Sequence, residues 1–546
     1  MRIGTSYKQH PGLAEHWDAI VVGSGIGGMA VAATLSKLAG QRVLVLERHY
    51  TAGGFTHTFR RPGYEWDVGV HYVGGVSHPR AMGRRLFDFL TDGQLDWADM
   101  GEVYDRIILG DKSYDFVKGV ERFRTRMHEY FPNDVDAIDR YLELVQATAK
   151  KASLLFAEKA VPQLVSTLVG GVMRRPAVKE ATRTTREVLE ELTSNQELIG
   201  VLTGQFGDYG LVPAESSFLM HSMLVTHYFK GAAYPVGGSS RIAETILPVI
   251  QAAGGEVLTN AEVERVVIEK GKAVGVEMQD GRILRAPTIV SDAGVLNTFG
   301  KLVPPEAAAR VGWRDKAVKV GNSIAHLSLY LGLKGTTEEL HLNKTNLWIY
   351  PDHRHEENFA AFQQDINAPF PVVYLSFPSA KDPDFARRHP GRSTIEAITL
   401  GPYAPFARWE DTKWKKRGAD YDELKERLSE RLLAKVYEYA PATRGRVEIA
   451  ELSTPLSTRN FAAHESGAIY GLAHSPERFE ARWLKPRTPI SGLYLTGSDV
   501  VTAGVMGALM GGMTCSSAVL KGNVLSQVLK GDAQTLRPGG PASAPA

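Results

Sequence analysis

Short apolar runs and longer amphipathic stretches alternate along the chain in an order that predicts its elements. Residues 19–22 and 43–46 are uninterrupted apolar runs of strand length, and the Ala-rich stretch between them, to about residue 39, has helical character. Residues 64–72 alternate polar and apolar positions like a strand and end at His71-Tyr72, before Gly74-Gly75. From 79 to 222 the pattern is mostly helical, with charged faces such as 121–126 read as solvated surface. A glycine turn at 234–241 leads into a helix ending near Ala253. Three strand patterns follow, at 256–258, 263–269 and 273–279, with turn signals at Lys270-Gly271-Lys272 and Asp280-Gly281. They are read as a β-meander returning to a core strand at 288–294. Alternating runs at 324–331, 347–350, 372–377 and 395–400 predict an antiparallel sheet with one face against a core or a ligand. An amphipathic helix at 421–439, a strand at 493–495 and a small-residue helix from about Gly504 complete an α/β chain.

The first unit carries the most specific chemistry. Its leading strand ends in Gly23-Ser24-Gly25-Ile26-Gly27-Gly28, the helix follows, and the second strand is closed by Glu47. Gly23, Gly25 and Gly28 have the spacing G-x-G-x-x-G. The first glycine permits a tight turn, the second lets backbone approach a pyrophosphate, and the third lets helix and strand pack closely. The helix N-terminus offers unpaired N–H groups to an anionic diphosphate. Glu47 falls where a carboxylate accepts hydrogen bonds from ribose hydroxyls, and its charge opposes a 2′-phosphate, so FAD or NAD is expected and not NADP. The competing reading is a glycine turn that only packs a helix on a sheet, with Glu47 a solvated strand end. Strand, helix and acid together favour the dinucleotide.

Other stretches bear on a ligand less specifically. Gly53-Gly54 is a second place where backbone can lie against a flat molecule without a Cβ in the way, or else an ordinary turn. At the far end, Thr496-Gly497-Ser498-Asp499 follows a strand and precedes a helix. There Asp499 either bonds a ribityl hydroxyl, with the helix dipole stabilising negative charge on a reduced isoalloxazine, or caps the helix. Leu164, Val165, Leu168, Val169, Val172 and Met173 recur with helical period between Lys150-Lys151 and Arg174-Arg175. This reads as an interfacial helix at a membrane surface or tunnel mouth, or as a core-facing amphipathic helix. His353 and His355, in PDHRHEEN, read as exposed loop more than as metal ligands. No Ser-His-Asp signature, Walker loop or recognised metal-ligand spacing emerges.

Composition narrows the picture. A chain of 546 residues exceeds one ordinary core, so two or more intertwined domains are expected. A net charge of +2 offers no general field for nucleic acid. The single cysteine, Cys515, excludes an intramolecular disulfide and fits a reducing compartment and a packed core thiol. The polar N-terminus and the lack of any apolar run of about eighteen residues lead us to expect a cytoplasmic protein, or one peripheral to a membrane. The Pro-, Gly-, Ala- and Ser-rich end, from about Gly531, reads as a disordered tail.

The motifs VVGSGIGGMAVAATLS, LERHYTAGGFTHTF, YEWDVGVHYVG, YPVGGSSRIAE and YLTGSDVVTAGVMGALMGGMTCSSAVL together resemble the FAD-dependent phytoene desaturase and carotenoid isomerase superfamily. Within it they are most similar to the all-trans-retinol 13,14-reductase (retinol saturase) branch. The resemblance spans about 17 to 529 and is loosest over 79–222. It implies an amine-oxidase-type flavoprotein with a Rossmann-like FAD domain at 1–78, 223–300 and 485–530, and a helical cap or membrane-facing region at 79–222. The substrate domain with its antiparallel sheet would occupy 301–484, followed by the tail at 531–546. It further implies that Gly23, Ser24, Gly25, Gly27 and Gly28 line the diphosphate, Glu47 and Arg48 the adenosine, and Gly53, Gly54 and Phe55 the ribityl chain. Val263 would meet the adenine, Asp499, Val505 and Met506 the ribityl and pyrimidine side, and the strand 67–71 would lie close to the ring. The substrate implied is a long apolar polyene or isoprenoid.

In that reading a flavin supplies the electron pair and the protein holds an extended alkene against it. Saturation also needs a proton, for which His71, His227, Tyr228 and Tyr470 are the candidate donors, each also readable as a structural hydrogen-bonding residue. Glu65 and Asp67 are read as able to pair with Arg60 or Arg61. Only one dinucleotide fingerprint is present, so the electron donor and the direction of reaction stay open between saturation, desaturation and isomerisation. A non-redox lipid escort is the alternative of another class; the pairing of the glycine fingerprint with Asp499 favours the enzyme.

Overall fold

A computed structural model describes residues 2–160 and 163–531, with the side chains of 160 and 163–169 left out. Six parallel strands form one sheet, in the spatial order β1 (Thr5–Ser6), β4 (Glu256–Thr259), β3 (Val43–Leu46), β2 (Ala19–Val22), β5 (Ile289–Ser291) and β6 (Leu493–Leu495). β2 and β3 are buried along their whole length, as uninterrupted apolar strands must be when both faces of a parallel sheet are covered. Helix α1 (Ile26–Ala39) follows β2 and ends at Gly40 in the left-handed conformation. Helix α2 (Gly504–Leu520), from the opposite end of the sequence, crosses it. A Cβ added at Gly512 would lie 2.7 Å from the Ala30 Cβ and 2.8 Å from the Gly27 carbonyl oxygen. The two ends of the chain therefore meet at a distance only small residues allow.

The meander differs from expectation by one strand. Glu256–Thr259 follows the helix Arg241–Ala252 and so enters the parallel sheet as β4, because a helical crossover delivers a strand parallel to its neighbour. The turn at Asp280-Gly281 instead sends Ile283–Arg285 back onto Lys272–Met278, which pairs with Val263–Glu269. The strand expected over 64–72 stops at Asp67 after pairing with Thr58–Arg61. Asp67 is the reason: its N–H donates to Glu396 Oε1 at 3.0 Å, and its carboxylate accepts from Ser239 N at 2.9 Å and from the Tyr234 hydroxyl. One further bond, from Val68 N to the His57 carbonyl oxygen at 3.2 Å, closes the hairpin beyond it. The stretch from 79 to 222 is not all helical either. Val103–Leu109 and Lys112–Val117 are strands, turned on Gly110 at φ +62°, a short hairpin embedded among much longer helical patterns.

That hairpin completes a seven-stranded sheet in the order Val447–Ser453, Ala325–Lys334, Arg392–Gly401, Val373–Ser376, Asn346–Tyr350, Val103–Leu109, Lys112–Val117. Its pairs are antiparallel except Asn346–Tyr350 with Val103–Leu109, which run parallel and put Asn346 opposite Asp105. Strand alternation gives this sheet two different faces. Leu327, Leu329, Leu331 and Leu333 join the core with Leu424, Leu428, Leu432 and Val436 of the helix Ala419–Tyr439. On the other face the register aligns Ser328 with Ile398, Ile398 with Tyr374 and Tyr374 with Trp348.

Helices Val135–Ala160 and Gln163–Ala181 pack on each other and on Phe218–Tyr228, in the stretch expected to form a cap. Of the apolar positions expected at a membrane face, Leu164, Val165, Leu168 and Val169 lie outside the described side chains, while Val172 is 75% exposed. Arg174 does not flank that face. It is buried, donates to the Phe479 carbonyl and lies 3.7 Å from Glu158. Among the described residues no helix is long and apolar enough to cross a membrane. The expected tail lies, from 532 on, outside the described residues. Cys515 is buried, as expected.

Candidate functional site

One cavity of about 900 Å³ runs from the glycine turn after β2 to the face of the large sheet that carries Tyr374 and Trp348. At its first end Gly23 takes φ +101°, which requires glycine. Ser24 ties three motifs together: its hydroxyl donates to Glu47 Oε2 at 2.7 Å and accepts from Gly53 N at 3.0 Å, while its N–H donates to the same carboxylate oxygen at 2.9 Å. The fingerprint, the strand-end acid and the Gly53-Gly54 turn thus form one wall. Added Cβ atoms would fill this cradle: at Gly54 one would sit 2.9 Å from Gly25 Cα, and at Gly25 one would sit 2.5 Å from Asp292 Oδ2. Gly25 caps α1, so the helix N-terminus opens into the cavity. Such a surface fits an anionic dinucleotide.

Of the residues assigned from sequence to the cofactor, Gly23, Ser24, Gly25, Gly27, Glu47, Arg48, Gly53, Gly54, Phe55, Val263, Asp499 and Val505 line this cavity. Gly28 and Met506 are not on its wall. A Cβ on Gly28 would run into the Gly23 carbonyl oxygen, so this glycine serves the close packing of helix on strand, and Met506 packs on Gly83. Asp499 lies at the wall, yet both its oxygens are engaged: Oδ2 accepts from Val295 N at 2.8 Å and Oδ1 from Leu472 N at 3.0 Å. It holds two loops together and does not cap α2, whose N-cap is Ala503.

The proton-donor candidates separate in the same way. His71 and Tyr470 line the cavity; His227 and Tyr228 do not. The His227 Nε2 accepts from Gly74 N at 2.8 Å, and burial pushes the ring down to about 4. Tyr228 stacks on Tyr72 with ring centroids 4.5 Å apart. His71 is driven down to about 3 by burial and by the Lys381 charge, so it is neutral. Its Nδ1 lies 2.9 Å from Glu396 Oε2, misaligned for a hydrogen bond. Burial pushes the Tyr470 hydroxyl far above the ordinary phenol range. Glu65 pairs with Arg60 and Arg388, and Arg61 with Glu451, whereas Asp67 pairs with neither arginine. His355 is buried and bonds the Gly200 carbonyl at 2.9 Å, so it is neither exposed loop nor ligand. No cluster that could hold a metal occurs among the described residues.

Several residues at the site are given no such role by sequence, which places Asp67 only in the strand 67–71 and as a partner for Arg60 or Arg61. Asp292, at the end of β5, lies under the glycine turn, and burial raises it to about 8. Its strand-end position is the pattern that marked Glu47 and Asp499. Asp67, Glu396 and Lys381 form a buried cluster in which burial and mutual repulsion raise Asp67 to about 7, burial raises Glu396 to about 8, and burial lowers Lys381 to about 8. Asp105 and Asp208 belong to a second cluster, with Tyr72. These residues come from five separated stretches, so only tertiary contact unites them. On the sheet face, Trp348 Nε1 and the Tyr374 hydroxyl are buried at the cavity wall without hydrogen-bond partners.

Residues 21–90 match the model of an NAD(P)-binding Rossmann-like domain. The chain is 38% identical to the all-trans-retinol 13,14-reductase of Homo sapiens, covering 94% of this chain and 87% of that one. It is 36% identical to the Danio rerio protein of the same name, over 93% and 87%. A prolycopene isomerase of an Oncidium hybrid is 26% identical, over 93% of this chain and 84% of that one. In fold the chain is similar to an oxidoreductase from Methanosarcina mazei, with TM-score 0.61, 18% identity and coverage of 92% of this chain and 100% of that one. A putrescine oxidase redesigned in its cofactor binding has TM-score 0.60 and 17% identity, covering 92% and 99%. With the glycine cradle and the cavity floored by the large sheet already in place, these similarities establish that the chain belongs to the all-trans-retinol 13,14-reductase family.

Proposed function

We propose that this protein is a flavin-dependent oxidoreductase that saturates a C=C bond of a long apolar polyene of the retinoid or carotenoid kind. The single observation that carries the reading is the continuity of one cavity between the glycine-lined N-terminus of α1 and the aromatic sheet face. FAD is the cofactor of this reading. Gly23, Ser24, Gly25 and Gly27 would hold its diphosphate, Glu47 and Arg48 its adenosine end, and Gly53, Gly54 and Phe55 its ribityl chain. When bound, it supplies the hydride equivalent for reduction of the alkene.

The protein's own residues do the rest. Tyr374, Trp348 and Ile398 offer an apolar floor along which an extended polyene lies, and the unpartnered Tyr374 hydroxyl and Trp348 Nε1 suit a terminal hydroxyl on the substrate. Asp499 ties Val295 to Leu472 at the cavity wall. Exclusion of water strengthens each polar contact within. The division into a discontinuous cofactor domain, a substrate sheet and a helical cap follows the same reading. The exposed Leu154 and Val172 of the cap would let it collect a lipophilic substrate from a membrane surface.

Isomerisation without net reduction is the second reading, favoured by the prolycopene isomerase likeness. Anaerobic photoreduction of purified, flavin-loaded protein with all-trans-retinol, followed by mass analysis of the extracted lipid, decides between them. A gain of two hydrogens is expected. Unchanged mass with altered geometry supports isomerisation, and flavin-loaded protein that binds retinol but changes neither its mass nor its geometry overturns the redox reading.

A further inference from the structure

Tyr72 has one hydroxyl proton and two carboxyl groups beside it. Its oxygen lies 2.8 Å from Asp105 Oδ2 and 2.8 Å from Asp208 Oδ2. A phenol donates to one acceptor only, so both contacts are hydrogen bonds only when one of the two carboxyls carries a proton and donates it to the phenol oxygen. The surrounding donors identify which. Lys381 has no acceptor atom and donates to Asn346 Oδ1, which turns the Asn346 amide N–H toward Asp105 Oδ1 at 2.9 Å. Gln205 Nε2 donates to Asp105 Oδ2 at 2.6 Å. Side-chain donors from three residues converge on Asp105 and stabilise it as the ionised partner. Asp208 keeps the proton, and it is Asp208 that reaches the cavity wall.

We propose that Asp208, held as a neutral acid by Tyr72 and Asp105, is the proton donor to the alkene in the saturation described above. The proposal rests on that saturase reading. In the step the π bond of one C=C breaks. One carbon forms a C–H bond with the hydride equivalent supplied by the two-electron-reduced flavin, and its neighbour forms a C–H bond with the proton released as the Asp208 O–H bond breaks. The alkene is reduced by two electrons, the flavin is oxidised by two, and Asp208 is left as a carboxylate that regains its proton from water once product leaves.

The other groups at the wall suit this task less well. A carboxylic acid raised by burial and by the Asp105 charge to about 8 is still protonated at neutral pH, and it releases its proton far more readily than a phenol pushed up like Tyr470. His71 is already neutral. Tyr72, Tyr228, Asp105 and Lys381 are the titratable groups that act on Asp208, and Tyr470, raised chiefly by burial, faces it as a neutral phenol. Tyr72 and Asp105 are positioning residues, Asp105 being set by its strand register with Asn346 and by the Asn346 bridge.

The test uses flavin-loaded wild type, Asp208→Asn, Asp208→Glu and Tyr72→Phe. Infrared spectra of the oxidised proteins in H2O and D2O report protonated carboxyl groups without turnover. Asp208→Asn is expected to lose one deuterium-sensitive carboxylic-acid band while its flavin content stays at the wild-type level. After anaerobic photoreduction, flavin reoxidation by all-trans-retinol in a single turnover is expected to slow at least about 100-fold in Asp208→Asn and to be partly restored in Asp208→Glu. In Tyr72→Phe the pH at which the rate falls is expected to move. An unchanged infrared band, or reoxidation of Asp208→Asn within threefold of wild type, overturns the assignment. A wild-type protein that never adds hydrogen to the alkene overturns the saturase reading instead, and the proton donor with it, even if the infrared band disappears as expected.

Discussion

The crossing of α1 and α2 can be tested with one methyl group. At Gly512 an added Cβ would stand 2.7 Å from the Ala30 Cβ and 2.8 Å from the Gly27 carbonyl oxygen. Carbon atoms in optimal contact are about 3.5–4.0 Å apart, so Gly512→Ala needs the helices to separate by roughly 1 Å. Overpacking of this kind costs about 1–3 kcal/mol. The same substitution inside a helix also recovers about 0.5–1 kcal/mol of backbone entropy, which works in the opposite direction. Gly171→Ala isolates that gain, because Gly171 lies within the helix Gln163–Ala181 with nothing inside 4 Å of the added atom. The backbone gain is common to both variants, so Gly171→Ala is expected to stabilise, Gly512→Ala to destabilise on balance, and the gap between them in unfolding free energy, by denaturant titration of the flavin-free proteins, to equal the overpacking cost of about 1–3 kcal/mol. Because Gly27 belongs to the fingerprint turn, flavin affinity of Gly512→Ala is expected to fall at least about tenfold, or roughly 1.4 kcal/mol. If Gly512→Ala is as stabilising as Gly171→Ala and binds flavin normally, the ends of the chain do not meet as closely as argued.

Gly25→Val is expected to abolish flavin retention by filling the cradle against Asp292, read as loss of visible absorption in the purified protein; full occupancy would contradict the placement. Asp499→Ala leaves two buried N–H donors, on Val295 and Leu472, without acceptors, at about 1–3 kcal/mol each, so denaturant titration should show a loss of about 2–6 kcal/mol. A loss below about 1 kcal/mol would mean the carboxylate is no clasp. Asp292 binds its proton up to about 8 in the folded chain against the ordinary 3.8, so the folded state holds the extra proton between those values. The stability it permits is full below the lower value and drains away as pH rises through the upper one. Asp292→Asn, which cannot ionise, is expected to gain stability on wild type as pH rises from 5 to 9 in parallel melts, and equal pH slopes would refute the buried neutral acid.

Local pattern settled whatever is local. The uninterrupted apolar runs of β2 and β3 specified strands buried on both faces, G-x-G-x-x-G specified the turn and the helix N-terminus, and the alternation over Ala325–Lys334 separated a leucine core face from a cavity face. These follow from the two- and 3.6-residue periods and from what a missing Cβ allows. The motif ends of the chain were legible for the same reason, although motif likeness alone put Gly28 and Met506 beside the ligand, where the structure has a packing glycine and a side chain turned to Gly83.

Tertiary structure decided what depends on residues far apart in sequence. Whether 256–259 joins a meander or a parallel sheet turns on the helix before it, and where the strand after Tyr64 stops turns on Glu396, more than three hundred residues away. Asp499 was visible as a strand-end acid, but its two partners, on loops at 295 and 472, were not. The protonation of Asp208 is the extreme case: it depends on Tyr72, Asp105, Gln205, Asn346 and Lys381 arriving at one point, and on water being kept from it. Sequence periodicity encodes which face a residue takes, whereas the charge a buried group carries is set by the neighbours and the dielectric that folding assembles around it.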